Sequence, residues 1–403
     1  MGVLALKGLS PQIKQYLVIT GNYWAFTLTD GALRMLVVLY FHQLGYSPLN
    51  IALLFLFYEI FGVVTNLVGG WLGARLGLNK TMNIGLALQI IALCMLAVPS
   101  GMLTIAYVMA AQALSGIAKD LNKMSAKSSI KLLVPAGAEG KLYQWVAVLT
   151  GSKNALKGIG FFLGGLLLTL LGFAGAVMLM AALLSAVWVF SLITLKHDFG
   201  KAKHKPKFTD IFSKSASINL LSAARMFLFG ARDVWFVVAL PVFLAVTFDW
   251  DHWWVGGFMA SWVIGYGLVQ SIAPYFTGKK SGQVPSGKAA VSWASILTLI
   301  PLLIALTLHF DFYIKASIII GLFIFGAVFA INSSLHSYLI VSYASSDGIS
   351  LDVGFYYMAN AMGRLIGTVL SGWCYQHYGL EACLWVSSIF LAMASILSLK
   401  LKS

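Results

Sequence analysis

Gly158-Ile159-Gly160-Phe161-Phe162-Leu163-Gly164-Gly165-Leu166-Leu167-Leu168-Thr169-Leu170-Leu171 runs without a charged side chain and closes on Gly172-Phe173-Ala174-Gly175. With the residues before it, the run fills a segment near 142–171. About 20 apolar residues in a helix cross the roughly 30 Å hydrocarbon layer of a bilayer. Backbone N–H and C=O groups find no water there, so such a run satisfies them internally as a helix. Barrel strands would be shorter and would alternate polar with apolar residues. The glycines supply a small-residue face that lets a second helix approach closely. Similar runs recur from end to end of the 403 residues, of which 60% are hydrophobic and 10% charged. Soluble domains carry about 25% charged residues.

Working outward from this run, twelve spans are expected. They lie near 16–42, 48–72, 80–99, 102–124, 142–171, 174–195, 216–246, 253–276, 288–309, 314–341, 353–375 and 380–399. Turn-forming residues punctuate them, as at Gly45-Tyr46-Ser47-Pro48, Pro99-Ser100-Gly101 and Tyr378-Gly379. One set of connections holds Lys7, Lys14, Arg75, Lys80, Lys127, Lys131, Lys141, the lysines from 196 to 214, Lys279, Lys280, Lys288, Lys400 and Lys402. The opposite set holds essentially Lys315. Lysine and arginine mark the cytoplasmic side, so both termini are expected there. The longest hydrophilic stretch, Lys196 to Lys207, falls near the middle. It suggests an N-terminal six-helix half over 1–196, a basic cytoplasmic linker over 197–215 and a C-terminal six-helix half over 216–403. A weak internal repeat agrees: Phe26 to Arg34 and Phe227 to Asp233 both place Gly-Ala and an Arg/Asp combination mid-span. Two such halves are a common transporter plan. The expected fold is an all-α polytopic membrane protein of about twelve helices in two pseudo-symmetric halves.

The formal net charge is +14. A basic balance can mark nucleic-acid binding, but here most of the excess lies in short loops on one side, and no soluble domain is present to dock on a duplex. Cys94, Cys374 and Cys383 lie in apolar stretches without metal or disulfide spacing. The first apolar segment contains Asp30 and Arg34 and reads as a true span rather than a removable leader. No phosphate-binding loop, hydrolase constellation or metal-ligand cluster is evident. An enzyme is therefore not expected, nor a cofactor, nor an internal energy source. An ion gradient or passive exchange would drive transport.

Gly69-Gly70-Trp71-Leu72-Gly73-Ala74-Arg75-Leu76-Gly77 follows the second span. It resembles the conformational loop of the major facilitator superfamily. Gly70, Arg75 and Gly77 fit that pattern, and Ala74 replaces its acid. The departure puts the usual charge relay in doubt.

Charges inside spans carry the functional reading. A charged side chain at the bilayer centre is costly unless paired or solvated. Asp30 and Arg34 lie four apart in the first span, and Arg225 and Arg232 lie seven apart in the seventh. Either spacing places both side chains on one helix face. Glu59 lies in the second span, Asp233 in the seventh and Arg364 in the eleventh. Lys119, Lys123, Lys127 and Lys131 form a stripe at the end of the fourth span, with Asp120 beside it; the last two are expected in the loop. Lys153 and Lys157 lie four apart in the fifth. Pairing of Asp30 with Arg34 and of Asp120 with Lys123 would neutralise part of this. The cations Arg34, Lys119, Lys123, Lys153, Lys157, Arg225, Arg232 and Arg364 outnumber Asp30, Glu59, Asp120 and Asp233. A multivalent anionic substrate would balance the surplus, with arginine binding oxyanions bidentately and lysine as a point charge. His336 in the tenth span reads either as a packing residue or as a donor or proton carrier. Glu59 reads either as a coupling carboxylate or as a structural partner of a buried base.

Four charged stretches carry a closer resemblance: Asn22 to Arg34, Ala118 to Lys127, Gly151 to Gly158 and Ala223 to Trp235. They are similar to the organoarsenical efflux permeases of bacterial arsenic-resistance operons (the ArsJ type), and the similarity runs over nearly the whole chain. It implies export of 1-arseno-3-phosphoglycerate through the bacterial inner membrane, and hence arsenate resistance. It also implies a functional partner, a glyceraldehyde-3-phosphate dehydrogenase that makes the compound from arsenate. The placement further resembles organophosphate antiporters of the same superfamily, which hold phosphate between arginines of the first and seventh spans. Arg34 and Arg232 would fill those roles, with Lys119, Lys123, Lys153 and Lys157 at a second oxyanion. A monomer is expected. Transport of ordinary phosphorylated three-carbon acids is the nearest other reading. A membrane enzyme acting on anionic lipid is a reading from another class.

Overall fold

The computed structural model describes residues 10–46, 54–135, 137–195, 200–202, 207, 209, 215–250, 252–277 and 285–401. Most of the basic linker, and the Gly-Tyr-Ser-Pro connection beyond Tyr46, lie outside the described residues.

Eleven α-helices are present among these residues: α1 (Pro11–Gln43), α2 (Leu56–Leu76), α3 (Leu78–Leu96), α4 (Ile105–Leu133), α5 (Glu139–Thr194), α6 (Ala216–Phe236), α7 (Ala239–Thr247), α8 (His252–Thr277), α9 (Gly287–His309), α10 (Ile314–Tyr343) and α11 (Ile349–Ser398). Two are double-length. The backbone leaves helical geometry at Gly172 in α5 (φ 68°, ψ −179°) and at Gly379 in α11 (φ 75°, ψ −173°). Only glycine adopts that combination readily. Each of these helices therefore holds two spans joined at one glycine, at the positions where the sequence placed turns. The seventh span is interrupted instead. The backbone N–H groups of Val238 and Ala239 donate to Ser371 Oγ at 3.3 and 3.1 Å. Pro241 then falls in the first turn of α7, where its missing N–H costs nothing.

Among the described residues, nine helical segments are long and apolar enough to cross a membrane, with α6 and α7 counted as one. α4 is not among them, because of its lysines and Asp120. Separating α5 and α11 at their glycines and adding α4 gives the twelve spans. α4 also corrects a boundary. Lys127 and Lys131 lie inside the helix, which runs to Leu133, rather than in a loop. Ser and Lys tolerate a helix, and nothing breaks it before Pro135.

The chain forms two compact units. Unit 1 comprises Met1–Trp145, Leu156–Phe212 and Ala344–Phe355; unit 2 comprises Val146–Ala155, Ser213–Tyr343 and Tyr356–Ser403. Unit 1 packs around Phe26, Leu36, Phe41, Leu93 and Phe173. Unit 2 packs around Trp235, Trp262, Phe325 and Phe329. Both units bring their first span against their fifth through small residues. In unit 1 a Cβ at Gly160 would stand 2.8 Å from the Leu28 carbonyl oxygen. In unit 2 a Cβ at Gly367 would stand 2.6 Å from the Gly230 carbonyl oxygen. In lipid, where water drives nothing together, such backbone approach is a main source of helix association. Large side chains such as Phe162, Leu166, Leu170, Trp254 and Val369 are exposed, as a lipid-facing surface requires.

Candidate functional site

The charged residues of unit 1 gather around Tyr58 on α2. Its hydroxyl donates to Asp30 Oδ1 at 2.7 Å. Its ring lies 3.8 Å from Lys119 Nζ and 5.5 Å from the Arg34 guanidinium carbon. Local packing explains the meeting. A Cβ at Gly116 would stand 2.8 Å from the Tyr58 carbonyl oxygen, so α2 nests on α4 one turn before Lys119. A Cβ at Gly31 would stand 2.8 Å from the Lys157 carbonyl oxygen, which brings Lys157 beside Asp30.

The pairing partly departs from the helix-face expectation. Asp30 does not pair with Arg34. Its Oδ2 is 3.7 Å from Lys157 Nζ, while Arg34 Nη2 reaches Glu59 Oε1 at 3.4 Å. The cause is the close approach at Gly31, which offers Asp30 a nearer base on α5, while the longer Arg34 side chain turns to α2 and lies 5.0 Å from the Phe55 ring. The other expected pair forms: Lys123 Nζ donates to Asp120 Oδ1 at 2.6 Å. Arg34 and Glu59 are each 31% exposed, against 8% for Asp30 and 1% for Asp120. Among the described ion pairs of unit 1, Arg34–Glu59 is the most exposed.

Unit 2 centres on Asp233, which is fully buried. Arg232 Nε donates to its Oδ1 at 2.6 Å, and Arg364 Nε donates to its Oδ2 at 3.1 Å. One carboxylate thus holds two guanidinium groups, of which Arg364 is 32% exposed and Arg232 14%. Arg225 and Arg232 share a face, as their spacing predicts. Both lie against the Phe229 ring, at 3.9 and 4.9 Å. Arg225 is buried, and donates to Asn360 Oδ1 at 2.9 Å and to the Ser333 carbonyl oxygen at 3.2 Å. His336 is buried on α10. Lys153 falls in the segment Val146–Ala155 of unit 2, whereas Lys157 belongs to unit 1. The lysine pair of the fifth span is therefore divided between the units.

The glycine-rich stretch expected as a loop after the second span is instead helical through Leu76, and Gly77 alone joins α2 to α3. Gly77 has φ 103°, a value that favours glycine. Arg75 lies 5.1 Å from the Trp71 ring. Ser350 Oγ donates to the Gly70 carbonyl oxygen at 2.7 Å, and the Ala202 N–H donates to the Ala74 carbonyl oxygen at 2.9 Å. With Ala74 in place of an acid, backbone carbonyls receive the contacts at this helix end.

A family model for the Major Facilitator Superfamily matches residues 19–348. The chain belongs to the major facilitator superfamily. Solved structures share the facilitator fold at low identity. The human organic anion transporter MFSD10 (TETRAN) aligns with a TM-score of 0.75 and 15% identity, over 97% of this chain and 100% of that one. A bacterial homologue of the iron transporter ferroportin, in an outward-facing state, aligns with a TM-score of 0.73 and 13% identity, over 95% and 98%. A variant of the Escherichia coli fucose:proton symporter FucP aligns with a TM-score of 0.73 and 11% identity, over 96% and 98%. None of the curated proteins compared with the chain matches it. This facilitator is a multi-pass membrane transporter.

Sequence reading found the charged residues of the site but not the neutral ones that organise them. Tyr58, Phe229, Asn360 and Ser350 carry no charge to single them out. The available signal was adjacency: Tyr58 precedes Glu59, and Phe229 lies between Arg225 and Arg232.

Proposed function

We propose that this facilitator exports an anionic organoarsenical, 1-arseno-3-phosphoglycerate, across the bacterial inner membrane by alternating access, and so confers resistance to arsenate. The observation that carries the reading is the cation balance in the candidate sets. In unit 1, Arg34, Lys119, Lys123 and Lys157 meet Asp30, Glu59 and Asp120, and Lys119 rests on the face of Tyr58. In unit 2, Arg232 and Arg364 share Asp233. A guanidinium held by a shared or exposed carboxylate has donors left for an incoming oxyanion. The cargo carries an oxyanion at either end. The resemblance of the four charged stretches to organoarsenical permeases names the cargo; the charge names its class. Arg34, Arg232 and Arg364 are assigned as its bidentate partners, and Lys119, Lys123, Lys153 and Lys157 as point charges; Arg225, counted with them in the sequence, is set apart because its buried guanidinium already donates to Asn360 and the Ser333 carbonyl.

In this reading cargo replaces Glu59 on Arg34 as it enters, and Glu59 returns as it leaves. Gly70, Arg75 and Gly77 serve the conformational change. Both termini face the cytoplasm, the transporter is a monomer, and a glyceraldehyde-3-phosphate dehydrogenase supplies the cargo. The test uses inside-out membrane vesicles with radiolabelled arsenate. Uptake should require the transporter together with the dehydrogenase, its cofactor and glyceraldehyde 3-phosphate. Equal uptake of labelled 3-phosphoglycerate without arsenate would instead favour a carrier of phosphorylated three-carbon acids.

A further inference from the structure

We infer that Arg225, His336, Ser337 and Tyr356 of unit 2 form a second anion site, separate from the cargo residues, for a small inorganic anion with one negative charge, such as chloride or dihydrogen phosphate. All four side chains are at most 2% exposed. Among the described residues Arg225 has no carboxylate partner; its contacts are Asn360, the Ser333 carbonyl and the rings of Phe229 and Tyr356. A buried charge in a membrane protein calls for a counter-charge, because neutral dipoles compensate it only in part.

The groups around this cation are two hydroxyls and an imidazole, whose neutral ring offers one N–H donor and one acceptor nitrogen. Both ring nitrogens of His336, Ser337 Oγ and Tyr356 Oη are buried and make no hydrogen bond of normal geometry, although Ser337 interacts more loosely with the Tyr356 and Tyr357 hydroxyls. They come from α10 and α11, while Arg225 comes from α6. The guanidinium lies 5.3 Å from the Tyr356 ring centre, and it interacts electrostatically with His336, Tyr356 and Tyr357. Each unpaired buried polar group destabilises the fold. Water bridges would satisfy the hydroxyls and the imidazole but leave the positive charge uncompensated. An anion does both at once, accepting from hydroxyl, imidazole N–H and guanidinium. The near-complete burial excludes a large organic cargo. The lone cation sets the charge at one.

The inference does not depend on the identity of the exported compound. It is tested on the full chain purified in detergent, by its melting temperature. Sodium gluconate is replaced stepwise by sodium chloride, or by sodium phosphate at pH 6, at constant ionic strength. A saturable rise with at least one of the two anions is expected. Tyr356→Phe and Ser337→Ala remove single donors and keep the packing, so each should weaken the apparent affinity roughly two- to tenfold. Arg34→Ala should keep the response. The proposal is overturned if neither anion gives a saturable rise with the unaltered chain. It is equally overturned if Arg34→Ala abolishes the response while Tyr356→Phe and Ser337→Ala leave it intact.

Discussion

Tyr58 shows how one neutral residue sets the state of several charges. Its hydroxyl serves Asp30 and its ring serves Lys119 and Arg34. Two substitutions separate these roles. Tyr58→Phe removes a hydrogen bond to a charged group, worth about 1.5–3 kcal/mol, and should lower the melting temperature while transport persists. Tyr58→Leu also removes the ring and should reduce transport further, as read by uptake into vesicles. Asp233 is the corresponding point in unit 2. Asp233→Ala would leave Arg232 and Arg364 without their shared carboxylate. Loss of one member of a buried pair costs about 3 kcal/mol or more, and thermal unfolding in detergent should show it. Arg34→Ala and Arg232→Ala should instead abolish arsenate resistance while the protein stays in the membrane, checked by immunoblot of membrane fractions. Normal resistance in both variants would remove them from the site. The charges themselves were legible in the sequence, because any ionised group in an apolar run stands out. Their partners were not. Helix-face spacing put Asp30 with Arg34, but the interhelical approach at Gly31 decided the matter in favour of Lys157.

At the scale of elements, two glycines do what loops do elsewhere. Gly172 and Gly379 each turn a double-length helix in a backbone conformation that side chains resist. Gly172→Ala or Gly379→Ala should each cost about 1–3 kcal/mol, seen as a lower melting temperature. The sequence marked both turns, since a glycine falls between two apolar runs at each. It misplaced the end of α4, because a run of lysine and serine reads as solvated loop when only composition is weighed. The helix continues, and Lys127 is buried within it. The break between α6 and α7 was also invisible, since the cap that permits it, Ser371, lies more than a hundred residues away.

The whole molecule combines a common transporter fold with an uncommon density of cations inside its spans. The fold was legible almost entirely, because lipid leaves a helix few ways to differ and apolar length alone nearly counts the spans. The cargo is less so, because cations inside spans point to an anion but not to the chemistry attached to it. The central claim is that this chain removes a product of arsenate metabolism rather than arsenate itself. The direct measurement is arsenate tolerance of sensitive cells that carry the transporter, the dehydrogenase, both or neither. The account predicts protection only when both are present. Protection by the transporter alone, or none with both, would contradict it.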